Sequence, residues 1–448
     1  MNGKRPGAGK GGGRPVRGGR GMVGGPGAGG GQPATSARPE PDLPKPSADG
    51  YRALGPYAKT RLTVHALGLD LGLDVPGDVF STQRIDEGTQ LLLSHLPPVR
   101  REAPPTSLLD LGCGYGALGL PVAARYPQLR AVLVDRDLLA VAASAHNAKA
   151  LGLANVEARP SLGFRELRPD ERFDWLLCNV PARIGGEAIG AFLIGGRARL
   201  HAGGELRMVA IRDLVPTVAA EAARRGLPLV RVVDGPRHSV LSLAALAAPA
   251  LPPAEELESI YLRDRTSLPL PEGALALERP HDANEDPGHS TALALLFEAL
   301  PRSAPKRSLV FRCGFGGAAL ALRARFPQSP VVAVERDLLD AAYLLRNARA
   351  HGLEEGLMAR TALFPAQAAE AGAFSLVVGE VSPSAGALVA ARELAEARAL
   401  LAPGGQALAL ATVKQRLEWL PRCPGWSVLL ERGAVSLWRA APASRPGK

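Results

Sequence analysis

Aromatic residues are scarce: Phe, Tyr and Trp make up 4% of the 448 residues, with four Met and four Cys. A core cannot then be filled with rings, and must be built from Ala, Leu and Val packed between helices and parallel strands. The cysteines, Cys113, Cys178, Cys313 and Cys423, show no C-x-x-C spacing. That excludes a zinc ribbon or a disulfide scaffold and points to free thiols in a reducing cytoplasm. Long apolar runs are missing too. The longest stretch without a charge, around residues 239–253, is broken by prolines and reads as a linker, not a membrane span. No charged, apolar and small-residue leader opens the chain, so the expected location is cytoplasmic and no membrane partner is expected. Walker loops, Ser-His-Asp spacing and zinc signatures are also absent.

Glycine, by contrast, is abundant, and much of it opens the chain. Residues 1–50 have no periodic apolar face and are expected to be disordered. They carry eight Lys and Arg against three acids, so half of the formal charge of +10 lies in this tail. Gly/Arg-rich tails bind nucleic acid through phosphate contacts and counterion release. A solubilising linker is the plainer reading of the same composition.

The most informative run is SLLDLGCGYGALGL at residues 107–120. A buried strand ends at Asp110, and Gly112, Gly114 and Gly116 then turn the backbone into a helix. Glycine lets the backbone approach a ligand with no Cβ in the way, and a helix start offers unpaired N–H groups. A second strand, RAVLVD, ends at Asp135, where doubly wound folds place the carboxylate that meets a ribose diol; a solvated strand-end acid is the alternative. The loop is D-x-G-x-G-x-G and not G-x-G-x-x-G, and Asp110 would oppose a pyrophosphate while suiting a cationic ligand. A third strand, FDWLLCNVPA, stops at Asn179 and Pro181, again at the crevice end. Asp174, near its start, reads as a strand-start residue rather than an acid catalyst.

Together these residues resemble class I S-adenosylmethionine-dependent methyltransferases. The turn resembles their first motif, which implies that Asp110, Gly112, Cys113, Gly114, Gly116, Asp135 and Asn179 bind the cofactor. Asn179 and Pro181 resemble the Asn-Pro-Pro-aromatic motif of enzymes that methylate amino nitrogens, in which the Asn orients the acceptor. Val180 and Ala182 depart from that motif, and loss of the ring removes a stacking platform worth about 1–3 kcal/mol per base. Upstream, PGDVFSTQRIDEGTQLLL at residues 76–93 resembles the segment that packs beside the cofactor in the "methyltransferase small domain" group of bacterial ribosomal RNA guanine-N2 methyltransferases. Its matching residues are Phe80, Ser81, Asp86, Gly88 and Thr89. Gly203 and Gly204 resemble a late turn of the same group.

The chain also repeats itself. ARYPQLRAVLVDRDLLAVAASAHNAKALGL from Ala124 recurs as ARFPQSPVVAVERDLLDAAYLLRNARAHGL from Ala324, keeping Asn147 in register with Asn347 and Gly152 with Gly352. Where the first copy has Asp110 and Gly112, the second has Val310 and Arg312, and an Arg there would fill the space of the cofactor's methionine part. Glu335 survives at the second strand end, but Glu380 falls where Asn179 is expected. In the resembled ribosomal family the degenerate copy comes first; here the order is reversed. His281 and His289, near Asp282 and Asp286, align with the segment ahead of the first turn and read as a degenerate polar loop, so no metal site is expected.

The fold expected is α/β: two tandem doubly wound Rossmann-like domains, at residues 51–250 and 251–448, the second degenerate, after a tail at 1–50. The expected activity is methyl transfer from S-adenosylmethionine to an amino nitrogen of RNA, with ribosomal RNA or a ribosomal particle as partner and Arg183 placed to meet a phosphate or to stay solvated. The oligomeric state is open, the internal duplication being compatible with a monomer. Two other readings stand beside this one. The chain could be a noncatalytic RNA-binding or assembly protein with a relic pocket, favoured by Val180 and Ala182, or a methyltransferase acting on protein or a small molecule.

Overall fold

Leu108, Leu109, Val132, Leu133, Leu176 and Leu177 are apolar on both strand faces and fully buried, as parallel strands covered on both sides require. They form the middle of the first of two sheets in a computed structural model that describes residues 50–79, 84–99, 101–102, 104–244, 259–270, 273–283 and 289–441. The tail read as disordered, and Phe80, Ser81 and Asp286, lie outside the described residues, as does the side chain of His289.

A hairpin, β1 (Ala58–Ala66) and β2 (Leu69–Pro76), leads into α1 (Glu87–Leu93). The first sheet then comprises β3 (Ser107–Leu111), β4 (Arg130–Asp135), β5 (Val156–Pro160), β6 (Phe173–Asn179), β7 (Leu200–Ile211), β8 (Val230–Asp234) and β9 (His238–Ala244). Its helices are α2 (Gly119–Arg125), α3 (Leu138–Ala150), α4 (Gly186–Ala198) and α5 (Val215–Arg224). The second copy repeats the plan: hairpin β10 (Leu262–Leu270) and β11 (Gly273–Pro280), then α6 (His289–Ala299), β12 (Ser308–Phe311), α7 (Gly317–Arg325), β13 (Val331–Glu335) and α8 (Leu338–Ala350). It continues with β14 (Leu357–Thr361), β15 (Phe374–Glu380), α9 (Ala387–Ala399), β16 (Leu401–Thr412), α10 (Val413–Trp419), β17 (Trp426–Arg432) and β18 (Val435–Ala440).

Strand order is β5-β4-β3-β6-β7-β9-β8 in one sheet and β14-β13-β12-β15-β16-β18-β17 in the other. The first five strands of each are parallel, and the last two add antiparallel pairs. The two sheets are therefore the tandem Rossmann-like pair expected. One expectation is corrected: the run at 239–253 is not a linker throughout. Residues 238–244 form β9, paired between β7 and β8, because the side chains of Val240, Leu241 and Leu243 are buried in the sheet's core. Among the described residues no helix is long and apolar enough to cross a membrane.

Asn147 explains part of the repeat. Its Oδ1 accepts the Asp74 N–H (2.8 Å), while Nδ2 donates to Asp74 O and Tyr115 O (both 2.9 Å). Asn347 does the same for Glu278 and Phe315. One buried amide thus ties hairpin, helix and glycine turn together in each copy, and its full satisfaction is what makes its burial tolerable.

The copies meet about a pseudo-twofold axis at the duplicated Arg-Asp-Leu-Leu. Leu138 N–H donates to Arg336 O (3.1 Å) and Leu338 N–H to Arg136 O (3.0 Å), with Asp137 and Asp337 as an antiparallel bridge. Leu339 and Tyr343 of α8 enter the core of the first sheet. In return, Tyr57 and Leu139 pack with Phe364 and Val389 of the second copy.

Candidate cofactor and acceptor site

The strand order reverses between β3 and β6, and doubly wound folds bind ligands in the crevice outside the strand ends at such a point. Register brings the candidate residues there. Leu111 pairs with Val134 on one side and Cys178 on the other, so the next residues, Gly112, Asp135 and Asn179, leave three adjacent strands at one level.

Gly112, Gly114 and Gly116 all have positive φ (78°, 56° and 92°). A Cβ on Gly112 or Gly114 would meet nothing within 4 Å, whereas one on Gly116 would strike Leu120. The first two glycines therefore present bare backbone to open space, and the third packs against the helix. Gly112 and Cys113 donate their N–H groups to Val134 O (2.9 and 3.0 Å). The Cys113 side chain is buried, Ser144 Oγ donates to its sulfur (3.4 Å), and burial holds the thiol well above its ordinary pKa. That keeps it protonated and unreactive.

Asp110 does not open into the crevice. It is 1% exposed, and Oδ2 accepts the Gly119 N–H at the start of α2 (2.8 Å), while Oδ1 is buried without a partner. Burial pushes its pKa up to about 7, against the pull of that bond. The carboxylate lies behind the turn, anchoring it to the helix. Asp135 Oδ2 accepts the Gly114 N–H (2.9 Å) and Oδ1 the Asp137 N–H (3.0 Å), and burial again raises the acid's pKa. The second copy keeps that grip, since Gly314 N–H donates to Glu335 Oε2 (2.9 Å). A strand-end acid thus holds the turn in both copies.

At the end of β6, Asn179 Nδ2 donates to Asp86 Oδ2 (2.9 Å) and to Thr89 Oγ1 (3.2 Å). Val180 is buried at 5% in the core, and its N–H donates to Val209 O (2.9 Å). Its departure from the resembled motif is therefore a packing substitution. Pro181, Ala182 and Arg183 are exposed. Asp174 accepts from Thr106 and Ser107 at the opposite end of the sheet, as a strand-start residue.

The second crevice is closed. Arg312, at φ 50°, occupies the position of Gly112; its Nε donates to Glu393 Oε1 (2.8 Å), and its guanidinium reaches Tyr57 Oη (3.4 Å) and Asp78 Oδ2 (3.5 Å) from the first copy. Glu380 ends β15 where Asn179 ends β6.

The sequence reading missed what the second copy does to the first. Tyr261 is buried in the first domain's core beside the loop after β5, where a Cβ on Gly163 would come within 3.3 Å of its hydroxyl. The His281 ring covers Gly185 in the loop after β6, 2.5 Å from where a Cβ would stand. Contacts from residues about 100 positions away leave no local signal. Among the described residues no group of His, Cys, Asp and Glu could hold a metal ion.

Residues 72–223 match the family described as "Methyltransferase small domain". This segment is similar to that family. The domain holds the turn, both strand-end acids and Asn179. Over 170 residues the chain is 36% identical to Ribosomal RNA small subunit methyltransferase C of Klebsiella pneumoniae subsp. pneumoniae, covering 37% of this chain and 45% of that one. It is 35% identical over 170 residues to Ribosomal RNA large subunit methyltransferase G of Ectopseudomonas mendocina, covering 37% and 44%. The chain thus spans under half the length of these relatives. The whole tandem fold is similar to the T. thermophilus 16S rRNA N2 methyltransferase solved with AdoMet and guanosine. That likeness has a TM-score of 0.61 and 20% identity over 87% of this chain and 100% of that one. The second domain thus has a counterpart of the same fold, while its own crevice is filled.

Proposed function

We propose that the chain is an S-adenosylmethionine-dependent methyltransferase whose first domain modifies an amino nitrogen of ribosomal RNA, with a guanine N2 as the preferred target. The observation that carries the reading is the adjacency of bare backbone at Gly112 and Gly114 to an Asn179 amide whose two protons are both engaged. The relatives' names supply the acceptor class. The cofactor fits these residues: two glycines leave a cradle that any Cβ would occupy, Asp135 ends the second strand, where doubly wound folds put a ribose-binding acid, and Asp110 supplies a buried, incompletely bonded carboxyl behind the turn.

Held by Gly112, Gly114 and Asp135, S-adenosylmethionine would supply an activated methyl for transfer to the acceptor nitrogen. The chain's own residues then need to position more than to react. Gly112 and Gly114 bring backbone to the ligand, and Asp135 accepts from hydroxyls with its remaining lone pairs. With both Nδ2 protons used, the free oxygen of Asn179 accepts from the acceptor's N–H. No side chain at the strand ends is a strong base, and the proton released by the methylated nitrogen passes to water.

Labelled S-adenosylmethionine added to a lysate with the purified chain tests the reading. Label is expected in ribosomal RNA or ribosomal particles. Label confined to polypeptide or small molecules would exclude it. Asn179→Ala is expected to lower turnover by about 10²–10³-fold.

A further inference from the structure

We propose that Asp86 is a positioning residue that fixes which end of the Asn179 amide faces the acceptor. The inference rests on the methyltransferase reading above. A carboxamide can turn by half a rotation and exchange its oxygen and nitrogen with almost no change in shape, so only its partners decide the direction. Here they decide it strongly. Asp86 Oδ2, an acceptor, takes one Nδ2 proton at 2.9 Å, and Thr89 Oγ1 takes the other at 3.2 Å. The reverse orientation would set the Asn179 oxygen against the carboxylate, replacing a charge-assisted bond by repulsion between two acceptors. The carbonyl oxygen is therefore presented to the crevice, where it selects an acceptor carrying N–H over a ring nitrogen that carries none.

The carboxylate is itself held in place. Asp86 is the N-cap of α1, and its Oδ2 accepts the Thr89 N–H at 3.2 Å. His238, at the start of β9, approaches from the other side, with Nε2 3.9 Å from Asp86 Oδ1. Between them only glycine fits: a Cβ on Gly88 would stand 2.8 Å from Asp86 Oδ2 and 2.8 Å from the His238 ring. Asp86, Gly88 and Thr89 thus serve one arrangement: a cap whose carboxylate also reaches across to β6. Helix capping alone explains Asp86 and Thr89 N–H but not the bonds to Asn179, 93 and 90 residues away.

The test uses the full chain with asparagine selectively labelled at Nδ2, comparing wild type with Asp86→Ser and Asp86→Asn. Serine keeps a cap acceptor but is too short to reach Asn179; asparagine keeps an acceptor at full length. The Asn179 amide resonances, identified by their loss in Asn179→Asp, are expected to move and exchange faster in Asp86→Ser and to stay near wild type in Asp86→Asn. In parallel, S-adenosylmethionine affinity by calorimetry is expected to stay within about threefold in both variants. Turnover on ribosomal RNA is expected to fall by about 30-fold for serine and about fivefold or less for asparagine, with KM little changed. Wild-type amide resonances in Asp86→Ser would overturn the proposal, as would equal losses of turnover in both variants. If the resonances behave as expected but wild type transfers no methyl to RNA, the orientation stands and the RNA reading fails.

Discussion

Arg136 and Asp337 come from opposite halves of the sequence, and Arg136 Nε lies 3.1 Å from Asp337 Oδ2, while Arg336 and Asp137 form the mirror pair at 3.3 Å. The residues that mark the repeat are thus the residues that join the copies. Each cation is also shared: Arg136 with Asp282 (2.9 Å) and Arg336 with Asp78 (2.8 Å). Removing one partner of such a half-buried cluster leaves two carboxylates uncompensated. Arg136→Ala is expected to lower unfolding stability by about 2–3 kcal/mol in denaturant titration. An exposed control such as Arg302→Ala should change it by less than about 0.5 kcal/mol. Equal midpoints for the two would show that the seam is held by its apolar contacts alone.

One cofactor should bind per chain. The Arg312 guanidinium, fixed by Glu393, stands in the second crevice, and the matching position in the first is bare backbone at Gly112. Calorimetry with S-adenosylmethionine is expected to give a stoichiometry of one for wild type and no binding for Gly112→Arg. A stoichiometry of two would mean that Arg312 leaves the crevice.

Asp110 makes stability depend on pH in an unusual direction. Its carboxyl is held near 7 in the folded chain, against 3.8 ordinarily. A folded-state pKa above the unfolded one gives a contribution that is complete below about pH 4 and is lost as pH rises through about 7. Asp110→Asn keeps an acceptor for the Gly119 N–H and cannot ionise. Relative to wild type it is expected to gain about 2 kcal/mol between pH 5 and pH 8, read from thermal unfolding. Parallel stability curves would refute the buried ionisation.

Seven Lys and Arg precede the first acid, Glu40. Deleting residues 1–38 is expected to weaken retention of single-stranded RNA at low salt. It should also flatten the slope of log affinity against log salt by about 0.7 for each phosphate that the tail no longer neutralises. An unchanged slope would assign the tail no part in binding.

The strand ends were legible in the sequence because they rest on local signals: an apolar run, then glycine or an acid. Asp110 was placed at the right turn, but its direction was not visible, since only the packing of α2 over it decides whether the carboxyl faces ligand or helix. Asp86 and Asn147 stood in recognisable patterns, yet their partners lie 93 and 73 residues away, and no short-range rule connects them. The stretch at 239–253 misled because an apolar strand with few charges has the composition of a spacer; its pairing with β7 and β8 is a tertiary fact.

The pseudo-twofold arrangement has a consequence for how the two halves could diverge. Were the same fold assembled from two identical subunits, any residue that sealed one hollow would seal its twin, and an arginine in place of glycine would end ligand binding altogether. Joining the copies in one polypeptide removed that constraint, so one half could turn its vacant cleft into solid scaffold while still buttressing the loops of its neighbour through Tyr261 and His281.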